Sequence, residues 1–376
     1  MRGPAWRASF WLILLLAGEA ALAGCAAFSV PLASCPSVPQ PPLAAGHVVS
    51  VRYLGVGGFL FRHGDDVILT APLYSNPSLV EVAAGHSIRA DAGLIDRLLP
   101  VEASEAKAIL VGHSHYDHLL DVPHVAAARA TRATVYGSET TVRLLASRPE
   151  LGVGSAAPRV VALDGLAGDD SVPGRWVTLS PGLRFMALRS EHSPQLTLKL
   201  FGAPMPVHLW RGTQDAPLLD ALPRSAADWP EGSAFSYVID FTDPSGAPVF
   251  RVYYQDSGTN EPVGYPPRSL LAEKSVDLAI LCVGGDFSRL RRHPEGIVER
   301  TRPRFILLSH WEDFFVGQDA HEFDGRVYEI PPASEHKTAK FLSRVRKVVP
   351  PGTTTWLPCP SRSSFELPVE NRATPR

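Results

Sequence analysis

A histidine-rich segment, HSHYDH at residues 113–118, closely follows the apolar run KAILV at residues 107–111. The run is typical of a buried strand, so the segment falls on a loop at the end of that strand. With 13 histidines in 376 residues, an H-x-H-x-D-H pattern arises by chance in about one chain in a thousand. Three imidazoles and a carboxylate on one loop can point at a single spot, and imidazole suits zinc, iron and other first-row metals. The segment therefore predicts a metal site, with a solvated histidine-rich turn as the alternative.

Short apolar runs before and after this segment predict a mixed α/β chain with two sheet-rich halves. No period of about 20 to 50 residues repeats, which disfavours a solenoid. The turn residues DPSG at 243–246 predict a hairpin between two of the runs. Strands are predicted at 48–54, 58–62, 67–70, 107–111, 133–136, 183–189, 235–241, 249–254, 277–283 and 304–308, and helices at 122–131, 138–147, 294–302 and 335–345.

The composition excludes several classes of protein. A hydrophobic share of 45% with 20% charged residues is ample for a packed core, which excludes a disordered chain. The net charge of −2 disfavours bulk nucleic-acid binding. Four cysteines are too few for a disulfide-stapled scaffold or a thiolate zinc cluster. The 35 prolines and 30 glycines predict many turns and short elements.

The HSHYDH segment and three later residues resemble the metallo-β-lactamase fold hydrolases. In that family H-x-H-x-D-H is followed by a further His, a metal-bridging Asp and a last His, each at a strand end. The matching residues are His192 in SEHS, Asp256 in YQDSG and His310 in LSHW, and each follows a strand-like run. The resemblance covers residues 48–356 and implies an α/β fold, a four-layer αββα sandwich with a two-metal site on one edge.

The resemblance also implies the ligands. The cofactors would be two divalent metal ions, Zn²⁺ first, with Fe, Mn or Ni also compatible with His and Asp ligands. Asp117 would both ligate a metal and orient the attacking hydroxide, which makes it the predicted catalytic residue. One departure is Ala71 in Thr70-Ala71-Pro72, where relatives carry an Asp that supports the ligands. The implied sets are His113, His115 and His192 on one metal, Asp117, His118 and His310 on the other, and Asp256 as the bridge.

The implied function is a metal-dependent hydrolase. Two ions about 3.5–4 Å apart can activate a bridging water and stabilise the leaving oxygen of a phosphodiester or of a carbonyl substrate. The first hypothesis is hydrolysis of a phosphodiester or phospholipid-like substrate. The alternatives are a lactonase, esterase or amidase, including β-lactam cleavage, and a non-catalytic binding protein. The opening YLGVGG at 53–58 and the pair His310-Trp311 most resemble the branch with N-acylphosphatidylethanolamine-hydrolysing phospholipase D and the ascorbate-6-phosphate lactonases.

The first residues predict where the protein acts. Arg2 and Arg7 precede an apolar run at 10–17, and LAGC at 22–25 resembles the bacterial lipoprotein signal, whose cysteine becomes lipidated. An uncleaved anchor helix over 8–27 is the alternative. We expect an extracytoplasmic protein, at the periplasmic face or the cell surface, bound to the membrane through Cys25, with a lipid or small-molecule substrate. The predicted divisions are a signal at 1–24, a Pro-rich tether at 25–46, a hydrolase domain at 47–358 and a C-terminal tail at 359–376.

The roles of other residues stay open at this point. Tyr116 is expected to pack rather than reach substrate, and Trp311 could do either. Glu312 and Asp313 could orient imidazoles or lie on a solvated loop. Segments 74–100 and 196–232, the second with Trp210 and Trp229, are expected to shape specificity as lids. His86, His124, His208, His293, His321 and His336 are expected at the surface or in the core, Cys282 in the core, and Cys35 and Cys359 could form a disulfide.

Overall fold

The computed structural model describes residues 30–31, 48–200, 203–213, 221–318, 322–323, 326–327, 329–330, 332–361 and 363–369. The predicted signal, the lipidation site Cys25, His321 and nearly all of the predicted tether lie outside the described residues. Within this part of the chain, no helix is long and apolar enough to span a membrane.

Short strands and helices dominate the fold, in keeping with the abundant prolines and glycines. The longest strand has 9 residues and the longest described helix has 14. The strands are β1 (Val30–Pro31), β2 (Val48–Gly55), β3 (Gly58–His63), β4 (Asp66–Thr70), β5 (Ala108–Leu110), β6 (Thr134–Gly137), β7 (Val160–Ala162), β8 (Val177–Ser180), β9 (Leu183–Ser190), β10 (Leu196–Leu200), β11 (Ala203–Val207), β12 (Ala234–Thr242), β13 (Pro248–Gln255), β14 (Leu278–Cys282), β15 (Phe305–Ser309), β16 (Glu322–Phe323), β17 (Arg326–Val327), β18 (Glu329–Ile330), β19 (Thr354–Trp356) and β20 (Ser364–Pro368).

Four of the eight described α-helices begin at a Ser or Asp side chain that caps the first turn. Ser138, for example, accepts a hydrogen bond from the Thr141 amide and starts the helix predicted at 138–147. Four short 3₁₀ turns lie at Val101–Glu105, Pro149–Leu151, Ala226–Asp228 and Phe287–Arg289, and a π turn lies at Val125–Arg129. The α-helices are α1 (Leu79–Ala84), α2 (Ala92–Leu98), α3 (Tyr116–Leu119), α4 (Val122–His124), α5 (Glu139–Leu145), α6 (Arg268–Glu273), α7 (Glu295–Thr301) and α8 (Glu335–Val348).

Two seven-stranded sheets form the centre of the molecule. The first has the order β20-β2-β3-β4-β5-β6-β7, and the second has the order β19-β15-β14-β13-β12-β9-β8. Each sheet combines antiparallel strands with a parallel run, β4 to β7 in the first and β13 to β19 in the second. Since β9 and β13 both run antiparallel to β12, the ends of β9, β13 and β15 lie at the same edge of the second sheet.

Alternation along the strands builds three cores. In β3, Phe59 and Phe61 face the core between the two sheets, whereas Leu60 faces the core under the first helical layer. In β9, Phe185 faces the core between the sheets, whereas Met186 faces the core shared with α8. The layers therefore stack as helices, sheet, sheet and helices, and the predicted four-layer αββα sandwich is confirmed.

The C-terminal boundary differs from the prediction. Residues 359–376 were expected to form a tail, but β20 pairs with β2 along five residues and completes the first sheet. Phe365 and Leu367 of β20 are buried between the sheets. A strand of five residues that ends in proline gives too weak a pattern for detection in the sequence. Cys359 is buried and disulfide-bonded, but Cys35 lies outside the described residues, so their pairing stays a prediction.

Candidate metal centre

The HSHYDH loop lies where the first sheet meets the second. Its backbone is fixed from the second sheet, because the Gly112 carbonyl accepts from the Phe235 amide at 2.7 Å. The Ser114 amide donates to the Glu231 carbonyl at 2.8 Å, and the Ser114 hydroxyl lies 2.8 Å from the Thr141 hydroxyl. The whole HSHYDH segment was predicted on a loop, but only its first half lies there, because α3 begins at Tyr116 and contains Asp117 and His118. These bonds aim the side chains of the loop inward, toward the edge of the second sheet.

Three histidines form a first group of ligand candidates. The ring centroids of His113, His115 and His192 lie 4.5–4.8 Å from one another. His192 Nδ1 donates to the Ser193 carbonyl at 2.6 Å, which leaves Nε2 as its ligand atom. His113 Nε2 and His115 Nε2 are buried without a hydrogen-bond partner. All three histidines place a ring nitrogen within 4.8 Å of one another, as a metal ion requires.

Asp117, His118 and His310 form a second group. Asp117 Oδ2 lies 3.4 Å from His118 Nε2 and 3.1 Å from His310 Nε2. The Asp117 side chain is 13% exposed and the His310 side chain 11%, whereas that of His118 is 1% exposed. The second group therefore lies closer to solvent on its Asp117 side.

Asp256 joins the two groups. Its Oδ2 lies 2.6 Å from His113 Nδ1 and its Oδ1 lies 3.0 Å from His118 Nδ1. His118 Nδ1 is nevertheless buried without a hydrogen bond of acceptable geometry. The structure thus brings together all seven residues that the sequence singles out; that they ligate metal stays a prediction.

The electrostatics differ between the two ends of the site. Burial lowers the pKa of His113, His115 and His192, and that of His115 falls to about 3. Although burial also disfavours charge on His118, the carboxylates of Asp256 and Asp117 raise its pKa to about 10. The first group therefore holds neutral imidazoles, whereas the two buried carboxylates at the other end favour a positive charge, which His118 carries when no metal is bound.

Two glycines permit this close packing. A Cβ on Gly112 would lie 2.2 Å from the Asp256 carboxyl group. A Cβ on Gly57 would lie 2.8 Å from His118 Nδ1 and 2.9 Å from Asp256 Oδ1. Neither position tolerates a side chain without moving the candidate ligands.

A buried network holds His310. Glu312 accepts from the Val56 amide at 2.6 Å and from the Tyr53 hydroxyl at 2.7 Å, and the His310 amide donates to the Val56 carbonyl at 3.0 Å. Val56 and His310 both have positive φ, at 53° and 57°, which is unusual for such residues and needs support from outside the turn. Glu312 is 4% exposed, so of the two possibilities for this residue the structure excludes the solvated loop.

Tyr254 is a site residue that the sequence did not single out. Its hydroxyl contacts Asp256 Oδ1 and lies 2.8 Å from the Gly57 carbonyl. Ala71, where relatives carry an Asp, is buried and has no polar side-chain atom. The only signal for Tyr254 was its position two residues before Asp256, on the same face of β13.

The aromatic residues near the site have separate roles. Trp311 is fully buried and donates to the Pro358 carbonyl at 2.8 Å, so it packs in the core. Tyr116 is 2% exposed and packs against Trp210. Trp210 also contacts the His115 ring edge-on, with centroids 6.0 Å apart. Part of the predicted lid at 196–232 thus reaches a candidate ligand, whereas its Trp229 is buried in the first helical core.

Five other histidines that were expected at the surface or in the core lie within the described residues, and none of them belongs to the ligand groups. His86 and His336 are exposed, and His293 is fully buried in the second helical layer. His124 pairs with Asp96 at 3.0 Å. His208 lines a cleft of about 520 Å³ that opens beside His192.

Comparison with known proteins gives one match in sequence. Residues 82–203 match the family model of the beta-lactamase superfamily domain. The chain has the metallo-β-lactamase fold. The matched span includes the HSHYDH loop and His192, but Asp256 and His310 follow it. No curated protein sequence matches the chain.

Solved structures with a similar fold are distant in sequence. Igni18, a metallo hydrolase from Ignicoccus hospitalis, is 13% identical with a TM-score of 0.45, over 85% of this chain and 99% of that one. A possible metal-dependent hydrolase from Veillonella parvula is 12% identical with a TM-score of 0.45, over 86% and 100%. CmlA, a diiron β-hydroxylase from Streptomyces venezuelae, is 15% identical with a TM-score of 0.46, over 88% of this chain and 55% of that one.

Proposed function

We propose that this protein is a metal-dependent hydrolase that cleaves a phosphodiester in a phospholipid-like substrate. The observation that carries the proposal is the pair of ligand groups with Asp256 between them, in contact with one histidine of each. Buried carboxylates and imidazoles without partners are costly unless a cation or a hydrogen bond satisfies them. The unpartnered nitrogens of His113, His115 and His118 therefore fit divalent metal ions.

The residues that would hold metal follow from the two ligand groups and from Asp256. His113, His115 and His192 would hold one ion, Asp117, His118 and His310 the other, and Asp256 would contact both. Bound there, two ions such as Zn²⁺ would lower the pKa of a water and stabilise the leaving oxygen of a phosphodiester.

Asp117 and Asp256 have different positions relative to the substrate. The Asp117 side chain is 13% exposed, whereas that of Asp256 is 2% exposed and contacts Tyr254. Asp117 is therefore the carboxylate able to orient an attacking water, while Asp256 is held as a structural bridge. His118 and His310 hold the pKa of Asp117 well below its usual range, against the effect of burial, so it stays ionised.

The test combines metal analysis with a substrate panel. Reconstituted protein should bind two metals per chain and hydrolyse phosphodiesters rather than lactones, esters or β-lactams. Asp117→Ala should lower kcat by roughly 10²- to 10⁴-fold, while the exposed turn variant Asp65→Ala should match the parent. Near-parental turnover of Asp117→Ala with two metals bound would remove Asp117 from the mechanism. Fewer than one metal per chain would overturn the proposal that the protein is a metal-dependent enzyme. Turnover of carbonyl substrates alone would select the lactonase, esterase or amidase alternative.

Membrane attachment through lipidated Cys25 is part of the proposal. It is supported by the LAGC sequence at 22–25 alone. Cys25→Ser should move the protein from the membrane fraction to the soluble extracytoplasmic fraction. Unchanged membrane retention would favour an uncleaved anchor helix instead.

A further inference from the structure

The cleft beside His192 is lined by residues that are close in the chain to the candidate metal ligands or to a residue in contact with them. Arg189 lies at the end of β9, three residues before His192, and Arg211 directly follows Trp210, which contacts His115. Arg289 closes the wall from the 3₁₀ turn at Phe287–Arg289. All three arginines line the same volume of about 520 Å³. A ligand that they held would therefore have a fixed position relative to the candidate metals.

Two of the three carboxylates that line the cleft already accept hydrogen bonds from neutral donors. Asp164 accepts from the Ser233 hydroxyl at 2.5 Å and from the Glu139 amide at 2.7 Å. Glu191 accepts from the Asn260 side-chain amide at 3.0 Å. Burial raises the pKa of the third carboxyl, Glu231.

The arginines, in contrast, have no carboxylate oxygen closer than 4.0 Å among the described residues, although Glu231 lies near enough to Arg211 for their charges to interact. Arg189 donates to the backbone carbonyl of Asp164 at 3.0 Å. Arg211 lies 3.3 Å from His208 Nε2, and Arg289 is 4.0 Å from Asp286. Their guanidinium groups keep donors for an incoming anion, and guanidinium pairs with phosphate or carboxylate in a bidentate manner.

We propose that this cleft binds a second anionic group of the substrate, a phosphate or a carboxylate that lies beyond the bond being cleaved. Arg189, Arg211 and Arg289 are then the specificity-determining residues. The inference rests on the proposed function and narrows its substrate class to phosphodiesters that carry a further anion. The anion could belong to a lipid headgroup or to a soluble phosphodiester, and both present the same chemistry to the cleft.

A matched substrate pair tests the preference. Bis(glycerophospho)glycerol carries a second phosphate, whereas glycerophosphoglycerol does not. We expect kcat/KM to be at least about 10-fold higher for the first, since a charge-assisted hydrogen bond contributes a factor of roughly 10 or more. Cardiolipin and phosphatidylglycerol in mixed micelles repeat the pair as lipids. A preference only in micelles identifies a lipid headgroup, and one only in solution identifies a soluble substrate; no preference in either arm overturns the proposal.

Variants locate the preference in the cleft. Arg189→Gln, Arg211→Gln and Arg289→Gln should each lower the ratio of the two kcat/KM values by about 3- to 10-fold. Arg211→Lys should restore part of the ratio because it keeps the charge. Arg268→Gln removes an exposed positive charge outside the cleft and should leave the ratio at the parental value. If all five variants kept the parental ratio of the two kcat/KM values, the assignment of the three arginines as specificity-determining residues would be overturned.

Binding separates this inference from the proposed function. Titration calorimetry of the metal-loaded Asp117→Ala full chain should show that bis(glycerophospho)glycerol binds more tightly than glycerophosphoglycerol. Substitution of a cleft arginine in that variant should abolish this difference in affinity. If the parent hydrolyses no phosphodiester but this difference persists, the proposed function fails and the anion site stands. If the parent hydrolyses both substrates but the affinities are equal, the anion site fails alone.

Discussion

The two sheets contribute to the metal centre in different ways. The first sheet supplies four candidate ligands within six residues, on the loop after β5 and the start of α3. The second sheet supplies one residue from each of three strand ends: His192 after β9, Asp256 after β13 and His310 after β15. These three are separated by 64 and 54 residues of chain.

The difference lies in what positions each set. The loop residues are placed by local backbone geometry and by two backbone bonds, one from Phe235 of the second sheet to Gly112 and one from Ser114 to Glu231, which precedes β12. The second set is placed by strand register, since a slip of one residue would turn Asp256 to the other face of β13. His310 further needs the buried carboxylate of Glu312 to hold its turn. The positions of the four residues in the HSHYDH segment therefore depend mainly on nearby backbone. The positions of the other three depend on the register of the whole second sheet.

Substitution of single candidate ligands should have the largest effects on metal content and activity. Asp256→Ala should lose both metals, because Asp256 contacts His113 and His118 of the two groups. His310→Ala and His192→Ala should each keep one. Activity should fall by more than the roughly 10- to 100-fold that loss of an outer partner costs. Metal analysis by mass spectrometry measures the stoichiometry, and one full metal in Asp256→Ala would contradict the bridging role.

Contact between the loop and the second sheet can be broken at Gly112. In Gly112→Ala the new Cβ would lie 2.2 Å from the Asp256 carboxyl group, so Asp256 must move. We expect kcat/KM to fall about 100-fold, as for a displacement of about 1 Å at a reacting centre, with about 1–3 kcal/mol lost in stability. Gly165→Ala, whose Cβ meets nothing within 4 Å, is the matched control. Parental activity in both variants would show that the two sheets tolerate independent movement here.

Support of His310 can be weakened at Glu312. Glu312→Ala leaves the buried Val56 amide without its acceptor, which should cost about 1–3 kcal/mol, and leaves the Tyr53 hydroxyl with only the Val56 carbonyl at 3.1 Å. Metal affinity at the His310 end should fall roughly 10- to 100-fold. Of the two hydrogen bonds to Glu312, Tyr53→Phe removes only that from the Tyr53 hydroxyl, so the losses of stability and of metal affinity should both be smaller. Equilibrium dialysis should detect the weaker metal, and unchanged affinity would mean that β15 alone fixes His310.

The two helical layers should respond to pH with opposite signs. Burial raises the pKa of Asp121, in the first layer, from 3.8 to about 6, so the folded state binds the extra proton and stability falls as pH rises through that window. Burial lowers the pKa of His293, in the second layer, from 6.5 to about 4, so the unfolded state binds the extra proton and stability rises with pH. Each effect amounts to about 3 kcal/mol.

Single substitutions isolate these effects. Asp121→Asn should make the rise of stability between about pH 4 and 6.5 steeper than in the parent, and His293→Gln should make it shallower. Urea unfolding with a chelator present measures both, since metal binding has its own pH dependence. Parallel curves for all three proteins would mean that neither group titrates differently in the folded state.

The comparison of the sheets also explains which elements could be predicted. The strands β2 to β6, β9 and β12 to β15 have apolar runs long enough to detect, and a strand was expected near each of them. β7, β8 and β19 are edge strands in which most residues are only half-buried or exposed, so burial imposes only a weak apolar pattern on them, and α3 has only four residues. Tyr254 escaped detection because an aromatic residue in a buried strand predicts packing.

The sequence by itself determined the chemistry of the HSHYDH segment. Its six residues are adjacent in the chain, so they lie close together whatever the exact end of the preceding strand. The sequence also indicated His192, Asp256 and His310 through strand ends and a family resemblance. Only the tertiary structure decided that those three side chains meet the loop, that Glu312 and Tyr254 hold them, and that β20 belongs to the first sheet. The physical reason is that distances across the sandwich depend on register, packing and buried hydrogen bonds, which join residues far apart in the chain.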